Sequence, residues 1–387
     1  MHVRHDRIAR VQAGMREAGL LAIVILNHDD YRYLFGEDRY QPRAIIPVEG
    51  PPTIIAFTAE EPELRALLAA DARATAGEPE RGEVLVFGSV GGQIHDVVGR
   101  LHELVERVGT PGSGRPRVGI QMWFDTPAFL VDLFRKVNPG LEVVSSDPVM
   151  DPLRMVKDDD ELAHMTEAQR IAGVGMDLAR RLLRPGVTSR EIAAEVGYAM
   201  MRQGAERTST PMFITFGIET CMLHGRQSPA PLRDGELAVI DLTPQVDGYC
   251  ANLARTFVVG EPTPRQRALL DAYAAMIPAA RDAMRPDATV ADMDRAAADV
   301  LGGGDLAQHQ VYGIGHGLGL RFEETPAPTI LPPHKSVPLR EGMTVTIGHP
   351  VLAVPGVGGV RHEDVYRVTP EGGQLLHPYP VDPIVEI

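Results

Sequence analysis

Short apolar runs alternate with amphipathic stretches along the first 150 residues. The apolar runs are rich in β-branched residues, which favours buried strands, and they occupy 20–26, 43–48, 52–57, 83–87 and 117–121. The stretches between them repeat apolar residues every three or four positions, as helices that pack on one face do, and they occupy 4–18, 60–70, 92–107 and 126–137. This alternation predicts an α/β domain over residues 1–150.

A second domain is predicted over residues 158–387. Two Asp-Pro steps in SDPVMDPL (146–153) predict a break in regular structure before the acidic run Asp158–Glu161, which suits the start of a helix. Within the domain, RPGVTSRE (184–191) and RPDATVAD (285–292) match, and each combines a helix end, a Pro-containing turn and a Thr-x-x-acid capping box. Two such blocks in the same order predict an α+β domain with a pseudo-twofold repeat, in which helices cover a curved antiparallel sheet.

Composition narrows the class of partner. A formal net charge of −14 and the lack of a basic stripe argue against nucleic-acid binding, which needs clustered Lys and Arg. No apolar run approaches the ~18 residues of a membrane span, and the first 15 residues lack a secretory signal pattern. Two cysteines are too few for a disulfide framework. We therefore expect a cytoplasmic protein that acts on a small molecule and binds neither nucleic acid nor membrane.

Residue types that serve as catalytic groups or metal ligands are concentrated in four segments: VIDLTPQVDGYCANLARTF (239–257), GIGHGLGLRFEETP (313–326), GMTVTIGHP (342–350) and GGVRHEDVYRVT (358–369). Asp241 ends a buried strand and Asn252 follows on the returning strand, so a hairpin sets the two side by side. His316 stands among glycines, whose backbone can pass close to other groups. Arg361 and Glu363 share one strand face. These residues predict one active site in this domain.

The order of these residues resembles that of the pita-bread family, which contains methionine aminopeptidases, Xaa-Pro peptidases and creatinase. In the metallopeptidases of that family, two Asp, one His and two Glu hold a pair of divalent metals. The resemblance assigns Asp241, His316 and Glu363 to three of those positions, whereas Asn252 and Gly348 occupy the other two. The segments PQVDGYCANLARTF and VPGVGGVRHED are most similar to creatinase, which works without metal. The resemblance also implies a pita-bread C-terminal domain, an N-terminal domain of the creatinase type and a homodimer.

Charge balance limits the metal that this set of residues can hold. Two divalent ions are offset by about four carboxylates, and only two of the family's carboxylate ligands remain here. We expect no ion, or a single Mn, Zn, Fe or Co ion held by Asp241, Asn252, His316 and Glu363. His349 directly follows Gly348, and strand alternation would point its side chain to the opposite face. His349 would therefore replace the lost ligand only if the strand bulges there.

The resemblance also gives candidate residues for catalysis and substrate binding. His224 lies where Xaa-Pro peptidases carry a His and creatinase carries its general base and acid, and a neutral His suits proton transfer. Glu323 stands where the peptidases have a second His, and its acid could bind an ammonium or guanidinium group. The predicted catalytic residues are His224, Glu323 and Glu363. The predicted substrate-binding residues are Arg39, Arg43, His316 and Arg361. Arg39 and Arg43 lie in a loop that in creatinase-type domains reaches the partner's active site, and they can equally be surface residues.

Four functions remain open at this point. The leading hypothesis is a hydrolase that cleaves a C–N bond in a small amide, guanidino or dipeptide-like substrate without a standard pair of metals. The second is an Xaa-Pro dipeptidase or aminopeptidase with a reduced, single-metal site. The third is a lyase on the same scaffold, and the fourth is an inactive pita-bread module that binds peptides or a partner protein.

Overall fold

Two compact units divide the chain, Met1–Arg154 and Met155–Ile387. The computed structural model describes residues 3–39, 42–74, 82–87, 90–108, 114–123, 126–309, 313–380 and 384–385. Within these ranges, no helix combines the length and apolar character that crossing a membrane requires.

The first unit is built from alternating helices and strands. In chain order they are α1 (His5–Ala18), β1 (Ala22–Ile25), α2 (His28–Phe35), β2 (Ala44–Pro47), β3 (Thr53–Phe57), α3 (Glu61–Ala74), β4 (Glu83–Phe87), α4 (Val90–Val108), β5 (Arg117–Ile120), α5 (Ala128–Val137), β6 (Glu142–Ser145) and α6 (Asp147–Arg154). The strands form one sheet in the order β4-β3-β2-β1-β5-β6. The pairs β1–β2 and β2–β3 are antiparallel, and the other three pairs are parallel. The predicted α/β architecture is confirmed.

The core of the first unit lies where strand and helix side chains meet. Val24, Ile45 and Val118 of the sheet are at most 1% exposed, and they share a cluster with Leu101 and Leu104 of α4. Burying each such side chain contributes about 1.5–3 kcal/mol, so the alternating apolar runs account for this layer.

Three elements of the first unit were not expected from the sequence: α2, β6 and α6. The Asp-Pro steps predict a break, but this prediction is wrong, since the segment Asp147–Arg154 is helical. Pro148 lies in the first turn of α6, where its missing N–H would have no partner within the helix. The carbonyl of Ser146 accepts hydrogen bonds from the backbone N–H groups of Val149 and Met150, at 3.0 Å each. At α2, the Asn27 side chain caps the helix by accepting from the Asp30 N–H at 2.7 Å.

The second unit contains helices and a set of short sheets. In chain order they are α7 (Asp159–Leu182), α8 (Ser189–Arg202), β7 (Arg207–Thr208), β8 (Phe213–Phe216), a 3-10 helix (Gly217–Cys221), β9 (Leu237–Leu242), β10 (Pro244–Val246), β11 (Tyr249–Cys250), β12 (Leu253–Val259), α9 (Pro264–Ala283), α10 (Val290–Leu301), two further 3-10 helices (Ala307–His309 and Pro332–Ser336), β13 (Thr344–Ile347), β14 (Leu352–Val354), β15 (Gly358–Val360), β16 (Asp364–Thr369), β17 (Gly372–Leu375) and β18 (Ile384–Val385). The sheets have the orders β18-β12-β9-β8, β11-β10-β7, β13-β16-β17 and β14-β15.

The predicted internal repeat is confirmed by two helix pairs. α7 leads into α8 through a capping box formed by Thr188 and Glu191, and α9 leads into α10 through one formed by Thr289 and Asp292. Each cap contributes about 1 kcal/mol by satisfying N–H groups that the first turn leaves free. Each half has its own buried apolar cluster. The first contains residues from 168–259, and the second contains mainly residues from 258–368. The second unit therefore has the predicted α+β, pseudo-twofold architecture.

A β-bridge between Ala254 and Glu363 joins the sheets of the two halves. The backbone groups of these residues exchange two hydrogen bonds of 3.0 Å. Next to this bridge, Arg255 and Asp364 form a buried ion pair at 2.9 Å. The bridge brings the start of β12 against the residue that precedes β16, and the predicted site residues lie around it.

Candidate active site

Asp241 and Asn252 meet across the hairpin formed by β9 and β12. Asp241 pairs with Ala254 in the antiparallel ladder. Asn252 Nδ2 donates to Asp241 Oδ1 at 3.0 Å, which agrees with the side-by-side placement predicted from their spacing. Gln169 of α7 fixes the Asn252 backbone, because its Oε1 accepts from the N–H at 3.0 Å and its Nε2 donates to the carbonyl at 3.3 Å. Asn252 Oδ1 is buried and has no hydrogen-bond partner among the described residues.

Arg361 donates a hydrogen bond to the second carboxylate oxygen of Asp241. Its Nη1 donates to Asp241 Oδ2 at 2.7 Å, and the two residues are 1% and 0% exposed. Thr256 of β12 holds the Arg361 backbone in place, since its Oγ1 accepts from the N–H and donates to the carbonyl, both at 2.8 Å. The sequence analysis predicts that Arg361 binds substrate. In the structure it neutralises Asp241, while its Nε and Nη2 have no hydrogen-bond partner among the described residues.

The glycine-rich loop holds His316 against β13. An added Cβ at Gly315 would collide with the carbonyl oxygen of Thr346, and one at Gly317 would lie 2.5 Å from the carbonyl oxygen of Thr325. These positions therefore require glycine. His316 Nδ1 lies 2.9 Å from the Gly317 carbonyl, which assigns the proton to Nδ1 in the neutral ring and leaves the Nε2 lone pair free.

His349 points into the site, contrary to the expectation from strand alternation. β13 ends at Ile347, and Gly348 has φ 110°, a left-handed conformation in which a Cβ would collide with the His362 carbonyl. Tyr273 Oη lies 2.5 Å from the Gly348 carbonyl and 2.6 Å from the Pro350 carbonyl, so one buried hydroxyl holds both sides of this turn. The imidazole of His349 consequently lies edge-on to that of His316, with centroids 4.7 Å apart.

Two carboxylates face this pair of histidines. Glu363 Oε1 is 3.5 Å from His316 Nε2 and 3.5 Å from His349 Nδ1. Glu323 Oε1 is 3.7 Å from His349 Nε2, and its Oε2 accepts from Thr329 Oγ1 at 3.0 Å. Glu363 is fully buried, and Glu323 is 8% exposed. Both predicted acids therefore lie in the same site as the predicted His316.

His224 lies at the exposed side of this group. It follows the 3-10 helix Gly217–Cys221, and its ring centroid is 5.0 Å from that of Phe213 and 5.8 Å from that of His349. Partial burial lowers the pKa of His224 to about 4, and the positive potential of His349 and Arg361 acts in the same direction. A His with this pKa is neutral at pH 7, so one of its ring nitrogens carries a lone pair.

Burial and charge act against each other on the remaining ionisable groups. Burial raises the pKa of Asp241 to about 7, and the Arg361 guanidinium opposes the rise. Burial would also raise the pKa of Glu363, but His349 and His316 hold it well below its ordinary value. For His316 the carboxylates of Glu363 and Glu323 outweigh burial and raise its pKa, whereas burial lowers that of His349. Opposed shifts of this kind concentrate at functional sites.

The described residues form two groups that could hold a metal ion: His316, His349 and Glu363, and His224, Glu323 and His349. Neither group contains Asp241, whose oxygens accept hydrogen bonds from Asn252 and Arg361. Ion binding by Asp241, Asn252, His316 and Glu363, as expected from the sequence, stays a prediction. In the structure both carboxylate oxygens of Asp241 are already hydrogen-bonded. Gly348 offers no side-chain ligand, and the Arg361 guanidinium lies against Asp241.

Arg39 and Arg43 lie in the first unit, each beside other side chains. Arg39 Nε donates to Glu37 Oε1 at 2.6 Å, and its Nη1 lies 3.4 Å from Glu63 Oε2. The guanidinium of Arg43 lies 5.9 Å from the centre of the Phe57 ring. Their role toward a substrate stays a prediction.

Comparison with known proteins identifies related sequences over both units. The profile of metallopeptidase family M24 matches residues 163–370, and that of the creatinase/prolidase N-terminal domain matches residues 7–156. An Xaa-Pro dipeptidase from Pyrococcus furiosus is 30% identical over 247 residues, which are 64% of this chain and 70% of that protein.

Solved structures share the whole fold. The dipeptidase PepE from Mycobacterium ulcerans has a TM-score of 0.80 and 26% identity, and the alignment covers 100% of this chain and 98% of that one. A prolidase from Thermococcus sibiricus has a TM-score of 0.85 at 22% identity, with both chains fully covered. The pita-bread fold and the creatinase-type N-terminal domain are thereby confirmed. The chain belongs to metallopeptidase family M24, as a hydrolase of its creatinase/prolidase group.

Proposed function

We propose that this protein hydrolyses the C–N bond of small dipeptide-like substrates, with Xaa-Pro dipeptides as the first class to test. One observation carries the proposal: buried polar atoms without hydrogen-bond partners among the described residues converge beside an exposed neutral His224. They are Asn252 Oδ1, Arg361 Nε and Nη2, His316 Nε2, both ring nitrogens of His349 and both oxygens of Glu363. Buried polar atoms are normally paired, so a concentration of unpaired ones indicates that a ligand completes them.

His224 has the properties needed for proton transfer in this reaction. Hydrolysis adds the hydroxyl of water to the carbonyl carbon and a proton to the leaving nitrogen. A neutral His224 accepts the proton of the attacking water and returns it to the leaving amine, so the ring ends as it began. His224 is exposed, so a substrate can reach its ring from solvent.

The charged residues supply substrate binding and orientation. Arg361 Nε and Nη2 can donate to a substrate carboxylate or carbonyl oxygen while Nη1 stays on Asp241. Glu323 can attract a substrate ammonium group. The family membership and the names of the relatives favour dipeptides, and the acidic Glu323 fits their free amino end.

A guanidino or amide compound is the second candidate substrate. The observation that favours it is the Arg361–Asp241 pair, which replaces a metal-binding carboxylate by an internal ion pair. In this alternative, Glu323 and Glu363 would hold the cationic nitrogen of the substrate. A lyase or a purely binding role has no comparable observation in its favour.

A substrate panel tests the proposal. Purified protein is incubated with Ala-Pro, Leu-Pro, Ala-Ala, a tripeptide and creatine, with and without Mn²⁺, Zn²⁺ or Co²⁺, and free amine is quantified by mass spectrometry. We expect turnover of dipeptides that is lost in His224→Ala. Turnover of creatine alone would select the second candidate, and no turnover of any compound by the folded protein would refute both.

A further inference from the structure

We infer that this protein binds one divalent ion at a site formed by His316, His349 and Glu363, and that Arg361 serves as the fixed counter-charge of Asp241 beside it. The ligand atoms are His316 Nε2, His349 Nδ1 and a carboxylate oxygen of Glu363. The site differs from the family's ligand pattern, since it uses His349 and omits Asp241. It lies within the site of the proposed function, but ion binding and turnover are measured independently.

The spacing of the three ligand atoms fits an ion better than it fits hydrogen bonds. Glu363 Oε1 is 3.5 Å from each of the two ring nitrogens. A charge-assisted N–H···O bond is shorter, roughly 2.7–2.9 Å. Ligands about 2.1 Å from a tetrahedral Zn²⁺ lie roughly 3.4 Å from one another. The two measured distances match this spacing, and all three ligand atoms lie within 4.8 Å of one another.

The hydrogen bonds around the histidines leave the correct nitrogens available. His316 Nδ1 donates to the Gly317 carbonyl at 2.9 Å, so its Nε2 carries the lone pair in the neutral ring. If His349 binds through Nδ1, its proton lies on Nε2, which is 3.7 Å from Glu323 Oε1. Metal-binding histidines typically direct their second nitrogen to a carbonyl or a carboxylate, as His316 does here.

His316, His349 and Glu363 are buried, and buried polar atoms normally have a partner. His316 and Glu363 are 0% exposed and His349 is 1% exposed. The atoms that would bind the ion have no hydrogen-bond partner among the described residues. A bound ion would satisfy all three at once, and its ligand set of two His and one carboxylate is typical of Zn²⁺ and Fe²⁺ sites.

Charge balance favours a single ion. With neutral histidines, the three carboxylates of Asp241, Glu323 and Glu363 and the guanidinium of Arg361 give a net charge of −2. One divalent ion neutralises this charge, whereas two would leave an excess of two positive charges in a buried site.

The second group, His224, Glu323 and His349, competes for the same imidazole. It is the weaker candidate because His224 is exposed and Glu323 already accepts a hydrogen bond from Thr329. A neutral His349 has one lone pair, so it cannot serve both groups with a single proton on the ring.

Equilibrium dialysis of the chelator-treated, full-length protein against Zn²⁺, Mn²⁺ and Co²⁺, followed by elemental mass spectrometry, tests the inference. We expect about one ion per chain in the wild type. His349→Gln should weaken binding by more than about 100-fold, the upper end of what loss of an outer-shell group costs. Glu323→Gln and Asp241→Asn should keep one ion, because neither side chain is a proposed ligand. Circular dichroism spectra establish that each variant is folded, and His349→Asn serves if His349→Gln is not.

Each other result overturns a defined part of the inference. Loss of the ion in Glu323→Gln would assign it to the group with His224. Loss in Asp241→Asn with retention in His349→Gln would assign it to the ligand set expected from the sequence. Two ions per chain, or none in the wild type, would refute the site altogether. Turnover without any bound ion would refute a need for metal while leaving the proposed hydrolysis standing.

Discussion

Removal of the Arg361 guanidinium should destabilise the second unit strongly. The substitution Arg361→Met keeps a long side chain and removes the charge that lies 2.7 Å from Asp241 Oδ2. Asp241 is 0% exposed and would retain only the neutral Asn252 amide as a donor. The cost of the variant is therefore that of a buried carboxylate without a counter-charge.

The size of the effect follows from this burial. Removing one partner of a buried ion pair costs about 3–5 kcal/mol, since the remaining charge stays buried. In a unit of this size each kcal/mol lowers Tm by roughly 2–4 °C, so we expect a decrease of about 6–20 °C.

The loss should depend on pH in a defined direction. Burial already raises the pKa of Asp241 to about 7, and removal of the opposing guanidinium raises it further. A carboxyl group whose folded pKa exceeds its unfolded value, about 3.9, binds its proton more tightly in the folded protein. Its contribution to stability is fully present below that value and is lost as pH rises through the folded pKa. The deficit relative to wild type should thus be smaller at pH 5 than at pH 8.

Urea unfolding followed by circular dichroism, with chelator present, measures these differences. The double variant Asp241→Asn/Arg361→Met is the matched control, because it removes both charges and should recover at least about 2 kcal/mol of the loss. A decrease below about 1 kcal/mol at pH 8, or a double variant as unstable as the single one, would refute the ion pair as a buried, charge-compensating contact.

Three further substitutions test other parts of the structure. His224→Ala should lower hydrolysis by about 10²–10⁴-fold with an unchanged circular dichroism spectrum, as expected for loss of a proton-transfer group, and unchanged turnover would contradict that role. Gly348→Ala places a Cβ against the His362 carbonyl at a φ of 110°, so the free energy of unfolding should fall by at least about 1–3 kcal/mol in denaturant titration; a neutral result would mean that the turn adjusts easily. Thr289→Ala should cost about 1 kcal/mol and Thr289→Ser much less, because only the first removes the cap of α10, and equal losses would argue against capping.

Much of the fold follows from local sequence patterns. The strands β1–β5 agree with the predicted apolar runs within about two residues, and the repeated Thr-x-x-acid motif marks the starts of α8 and α10. α2 and α6 were missed since each is only eight residues long and starts with a polar cap or a Pro, signals that also describe turns. Short capped helices are thus the part of this fold that periodicity leaves undetermined.

The sequence predicts which residues lie in the candidate site, but not which of them contact each other. Asp241, His316, Glu323 and Glu363 lie together, as the motif order suggests. The inward direction of His349 depends on the left-handed backbone at Gly348, which strand alternation does not take into account. A Gly-His-Pro sequence directly after an apolar strand was the available signal, since a glycine there permits the chain to turn.

The pairing of Arg361 could not be predicted either, because it depends on contacts between distant segments. The position of the Arg361 backbone is fixed by two contacts. One is the β-bridge between Ala254 and Glu363, and the other is the pair of hydrogen bonds between Arg361 and Thr256. Alternation along the strand assigns Arg361 and Glu363 to one face, but it does not say which acid each would meet.

The unusual residues of this site are linked through charge. Asn252 and Gly348 stand at two positions where the family pattern has carboxylates, and Arg361 neutralises Asp241, a third. Each of these features lowers the positive charge that the site can accept, which is the basis of the proposed single divalent ion. The ion pair and the metal stoichiometry therefore depend on each other: removing the guanidinium would leave a net charge of −3 and free an oxygen of Asp241. A variant without Arg361 should consequently lose stability in chelator and bind Zn²⁺ with a lower Kd than the wild type, since each protein gains about 2.7 kcal/mol at a Zn²⁺ concentration 100 times its own Kd.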